Sequence, residues 1–171
     1  DVVPLTEEEK RAIAAIPAIE KQVQERFGIA EPEGGGRRLE EAIALPSLNV
    51  RGLRSGYVGA EATTIIPRTA TAAIDVRLVK GNDHQRMFEA IVAHIRGRGW
   101  KVLDREPTVE ERRQHARLVK VEKLDGYNAV RTPLDLPMAA TLARAAQRAT
   151  GSAVVKLPTL GGSGPLHYFE A

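Results

Sequence analysis

The stretch Thr63–Val79, TTIIPRTATAAIDVRLV, constrains the chain more than any other. From Ala70 onward, Ala70, Ala72, Ile74, Val76 and Leu78 fall on one side and Thr69, Thr71, Asp75 and Arg77 on the other. That period of two is the signature of a strand with one apolar and one wet face. The segment is far longer than the usual strand of about 5 to 6 residues. Pro67 lacks a ladder donor and therefore marks a bend or an edge. On the wet face, Asp75 and Arg77 are two apart, close enough to neutralise one another.

Everything else is placed around this strand. Upstream, Leu48 and Val50 alternate with Asn49 and Arg51, a second strand, and the glycine-bearing RSGYVGAEA joins the two as hairpin partners. Downstream the period changes to that of a helix: Met87, Phe88, Ile91, Val92 and Ile95 form one stripe, with Asn82 or Asp83 as its cap and Gly97 and Gly99 at its exit. Trp100–Arg105 reads as a further short strand. Ser47–Glu106 is therefore expected to be strand, strand, helix, strand, an α+β unit whose helix lies across an antiparallel sheet.

The flanks are helical. Thr6 with Glu9 is a capping-box pair, and Glu7 to Glu9 suit a helix N-terminus rather than a metal site. Pro17 splits this region into two short helices or kinks one, with an end near Phe27 and Gly28. EPEGGGRR reads as a loop, and Arg38–Ala44 as a short helix whose Glu40 and Glu41 lie on its surface. After Glu106, Thr108–Gln114 is a short helix or loop and Ala116–Val121 a candidate strand. Asp135 and Pro137 open a helix that carries Met138, Leu142, Ala145, Ala146 and Ala149 on one stripe and ends at Gly151. Ala153–Leu157 reads as a short strand running into PTLGGSGP, a loop that either faces a ligand or only turns the chain.

Composition excludes several classes. With 171 residues, one domain or two small ones is expected, and 43% hydrophobic residues suffice for a core. No apolar run approaches the roughly 18 residues of a membrane span, so no membrane partner is expected, and the cytoplasm is the expected compartment. The chain has no cysteine, which removes disulfides, thiolate metal sites and cysteine nucleophiles together. The net charge of +3 is spread among acidic residues and aromatics make up only 4%, so no nucleic-acid partner is expected.

Taken together, PSLNVRGLRSG, TTIIPRTATAAIDVRLV, RTPLDLP and PTLGGSGP, in this order over Pro46–Phe169, resemble the dinuclear-zinc metallopeptidases. That family includes carnosine dipeptidase, aminoacylase, glutamate carboxypeptidase and succinyl-diaminopimelate desuccinylase. The resemblance implies a catalytic α/β domain with two zinc ions and an inserted lid of ferredoxin-like topology that makes a homodimer. On that plan, residues 1–45 are a helical lead-in, 46–107 the later part of the lid or dimerisation domain, and 108–171 the return into the catalytic domain. The family's first lid strand and helix have no counterpart, so the chain reads as an internal fragment with an incomplete sheet.

The resemblance carries substrate recognition but not chemistry. The family's zinc ligands come from a His-x-Asp, a bridging Asp, a Glu-Glu pair that holds the general base, a later acid and a final His. Here there is no His-x-Asp; His84 and His94, ten apart, do not share a helix face, and Glu40–Glu41 and Glu110–Glu111 lack the glycine-flanked setting. No catalytic residue and no metal ligand is assigned, so without the Lewis acid the chain alone is expected to be inactive. The resemblance implies that Thr64 lies near the partner subunit's active site. It implies that Arg77 binds the substrate's free carboxylate, a task for a planar fork of donors, and that Gly161, Gly162 and Ser163 form the loop reaching the same group. Each also has a plainer reading: a sheet threonine, an arginine paired with Asp75, a tight turn. The implied substrate is a peptide or N-acyl amino acid. The alternative from another class is a small regulatory or ligand-binding α+β module without zinc; an RNA-binding domain of similar topology lacks the aromatics on its sheet.

Overall fold

The computed structural model describes residues 1–162 and 164–169, leaving out the side chain of Pro165. In chain order the elements are α1 (Glu7–Ala14), α2 (Glu20–Phe27), α3 (Leu39–Ala42), β1 (Ser47–Arg54), β2 (Thr71–Arg77), α4 (His84–Gly97), β3 (Lys101–Leu103), α5 (Val109–Gln114), β4 (Leu118–Lys120) and α6 (Pro137–Thr150), with 3₁₀ turns at Gly59–Glu61 and Pro165–Phe169. The fold is α+β, as the sequence predicts. No helix among the described residues is long and apolar enough to cross a membrane.

The chain forms two compact units. One contains Leu5–Leu78 and Thr132–Gly161; the other contains Asp1–Pro4, Val79–Arg131 and the residues from Gly162 on.

In the first unit, β1 and β2 form an antiparallel hairpin in which Ser47 faces Arg77, Asn49 faces Asp75 and Val50 faces Ile74. The register skips at Arg51, a bulge, before Gly52 meets Ala73. Because opposed residues share a face, one face collects Ser47, Asn49, Asp75 and Arg77, and the other Leu48, Val50, Leu53, Ala72, Ile74 and Val76. The expected half-buried strand is only partly realised: Leu48, Val50, Leu53 and Ile74 are all exposed. The helical part keeps the expected cap and helix end and differs at Glu40. The backbone N–H of Thr6 donates to Glu9 Oε2 at 2.7 Å and Glu9 N–H to Thr6 Oγ1 at 3.2 Å, closing the capping box of α1. Gly28, at φ +64°, ends α2 in the left-handed conformation. After the glycine loop, Arg38 reaches back to the end of α1, donating from Nη1 to Ile13 O at 2.7 Å and from Nη2 to Ile16 O at 2.8 Å. Its Nε lies 3.7 Å from Glu20 Oε1 and 3.4 Å from Glu40 Oε2. Glu40 is therefore buried, not on the helix surface, because Arg38 supplies the charge that lets a carboxylate leave water.

In the second unit, Asp83 caps α4, accepting from Gln85 N at 3.0 Å and Arg86 N at 2.8 Å. Those backbone bonds, the Arg86 one first, and a bond from Asn128 hold its carboxyl below the usual carboxylate range. Helix α4 packs against β3. The expected continuous sheet is corrected here: β3 pairs in parallel with β4, Lys101 opposite Leu118 and Leu103 opposite Lys120, and the two pairs of strands are separate sheets. The other correction is Ala153–Leu157, which joins no strand. A ladder needs a partner for each backbone group, and no neighbouring strand among the described residues supplies one.

Candidate functional site

Arg77 ends β2 on the polar face of the hairpin. Its Nε donates to Asp75 Oδ2 at 2.6 Å, and its side chain remains 56% exposed. The sequence spacing anticipates this pair, since residues two apart on a strand share a face. Across the hairpin stand Ser47 and Asn49, which sequence reasoning did not single out; Asn49 Nδ2 donates to Ser47 Oγ at 3.1 Å. The hairpin pairing, read with the alternation of β1, contained that signal. The resulting patch places a cation, its paired carboxylate and two neutral polar side chains on one face of the ladder.

The remaining candidates are less gathered. Thr64 lies in the exposed connection before β2 and makes no hydrogen bond among the described residues. Nor does any join it to Arg77. Gly161, in the same unit, packs against Ile43: a Cβ there would stand 3.6 Å from Ile43 Cγ2. Gly162 belongs to the other unit and is open, with nothing within 4 Å of a Cβ position. Ser163 lies outside the described residues. Beyond that loop, His167 stacks on Tyr127 with centroids 4.6 Å apart and rings 9° from parallel, and it meets Tyr168 at 4.0 Å.

The chain belongs to the family of peptidase dimerisation domains of the M20 group: the family's model matches residues 9–99, more than half of the 171. Among solved structures it is similar to the M20 family metallo-carboxypeptidase Sso-CP2 from Sulfolobus solfataricus, with a TM-score of 0.73 and 24% identity. The match covers 99% of this chain and 35% of that one, so the chain spans about a third of that protein's length. At this identity the likeness shows the fold. No curated protein sequence matches.

The similar solved structure is a metallo-carboxypeptidase, and M20 metallopeptidases generally use metal ions. Among the described residues, no three His, Cys, Asp or Glu side chains are placed to hold one.

Proposed function

We propose that the chain is the lid and dimerisation segment of a zinc-dependent metallopeptidase, pairing two subunits and clamping the substrate's free carboxylate. The observation that carries the reading is the hairpin itself, a family dimerisation element with Arg77 held by Asp75 on one face and an uncovered apolar surface on the other. The free strand edges suit association with a second copy, since unpaired ladder groups are a template for another strand. In the complete protein, two zinc ions sit on residues outside this chain. The substrate is a peptide or N-acyl amino acid whose scissile amide lies next to a carboxylate. By the family resemblance, Arg77 binds that carboxylate, Gly161, Gly162 and Ser163 serve the same group, and Thr64 serves the site of the partner subunit.

The test compares an N-acyl amino acid with its carboxamide in the complete protein. With Arg77 intact the acid is hydrolysed far better. Arg77→Ala raises KM for the acid about tenfold or more, the scale of one lost charge-assisted contact, and leaves the carboxamide nearly unaffected. Equal loss on both substrates contradicts the clamp while leaving dimerisation standing.

A further inference from the structure

In the unit that contains α4, a shallow, open cleft is lined by Arg96, Trp100, Lys101, Gln114, His115 and Arg117. The backbone fixes these groups relative to one another. Gly99, at φ +82°, turns the chain from α4 into β3, and Lys101 N–H donates to Arg117 O at 3.0 Å, joining the two stretches of backbone that carry these cations. Arg117 is oriented further by its Nη1, which donates to Arg98 O at 3.2 Å. Lys101 Nζ lies 3.1 Å from His115 Nε2. An ammonium only donates, so that ring nitrogen accepts.

The charge of this cleft is not balanced from within. Its lining contains three permanent cations and no carboxylate. The carboxylate nearest Lys101, Glu111, stands 4.0 Å away and already takes two bonds from Arg105, both at 2.9 Å. Arg96 lies in the last turn of α4, where a cation favours the helix C-terminus. That accounts for one of the cations and not for Lys101 and Arg117 in the same lining. Like charges gathered in a concave surface repel one another unless an anion lies between them.

We propose that this cleft is a binding site for a small, multiply charged oxyanion, a phosphate ester or a polycarboxylate, separate from the carboxylate clamp at Arg77. The two arginines supply planar forks for its oxygens and Lys101 a point charge, while Trp100 offers an apolar wall to the rest of the ligand.

Trp100 is the chain's one tryptophan, so its emission reports this cleft alone. The full 171-residue chain is titrated with inorganic tripolyphosphate and, separately, with citrate, each against sodium chloride of matched ionic strength to remove general screening. The expected result is a saturable emission change with at least one of them: tripolyphosphate alone identifies a phosphate site, citrate alone a polycarboxylate site. Arg96→Ala and Lys101→Gln each weaken the apparent affinity about tenfold, the effect of one charge-assisted contact. Lys21→Ala, in α2, leaves it unchanged. The Arg96 side chain makes no hydrogen bond or ion pair among the described residues, so its replacement leaves the fold intact. No response beyond the salt control, or affinity unchanged from the parent chain in both cleft variants, overturns the proposal.

Discussion

The guanidinium of Arg38 serves two carbonyls at the end of α1 and stands beside two carboxylates, Glu20 and Glu40. It thereby ties three helices together around Ile13, the most deeply buried large side chain. Removing it leaves Glu40 buried without a counter-charge and the carbonyls without a donor. Arg38→Met is expected to lower unfolding free energy by about 2 to 3 kcal/mol, whereas Glu40→Gln costs less because a neutral amide tolerates burial; urea unfolding of the two variants checks the order. A second residue-scale expectation concerns acid. The side-chain bonds from Arg105, followed by the backbone bond from Thr108, lower the Glu111 carboxyl from its ordinary 4.5 to about 2. A lowered folded pKa stabilises the fold fully above 4.5, and that contribution is lost as pH falls from 4.5 towards 2. In Arg105→Ala the carboxyl titrates closer to 4.5, which carbon-detected NMR titration of Glu111 reads directly. At this scale the sequence was legible where a bond is local. Thr6 with Glu9 and Asp75 with Arg77 are three and two residues apart and were found. Arg38 reaches back 25 residues to Ile13, a contact that no spacing rule encodes, so Glu40 was misread as surface.

Elements show the same division between local and distant information. The helices α1, α4 and α6 are where period and capping place them, because a cap and an apolar stripe are written within a few residues, and the segment left open between helix and loop is the helix α5. Thr108 caps α5 by accepting from Glu111 N at 3.2 Å, and Thr108→Ala is expected to cost about 1 kcal/mol, measurable as a lowered thermal midpoint. Strand partnership is different. The period of two identifies a strand but not its neighbour, so β3 was assigned to the β1–β2 sheet although it pairs with β4. The bulge at Arg51 was likewise invisible, since one extra residue leaves composition unchanged. The turn before α4 adds a constraint of its own. Gly81 stands at φ +100°, and a Cβ there would lie 2.7 Å from Asp1 O and 2.9 Å from Val3 N. Gly81→Ala is therefore expected to destabilise by roughly 1 to 3 kcal/mol, while Gly97→Ala, with nothing within 4 Å, is tolerated. Equal midpoints for the two variants contradict that account.

At the scale of the molecule, the notable quantity is surface. Much of what is exposed is apolar: Leu53 is 80% exposed on the hairpin, and Met138 and Leu142 are 66% and 62% exposed on the stripe of α6 that the sequence marks as core-facing. Patterning in the sequence specified these faces correctly as apolar; it carries no information on what covers them, because the cover is not local to the chain. Surfaces of this kind mark sites of association, in keeping with a peptidase dimerisation domain. The most direct measurement is sedimentation equilibrium of the complete protein over a wide concentration range, repeated with Leu53→Glu. The account predicts a dimer that persists on dilution and is weakened by the charge on the hairpin's apolar face. A monodisperse monomer at the highest concentration contradicts it.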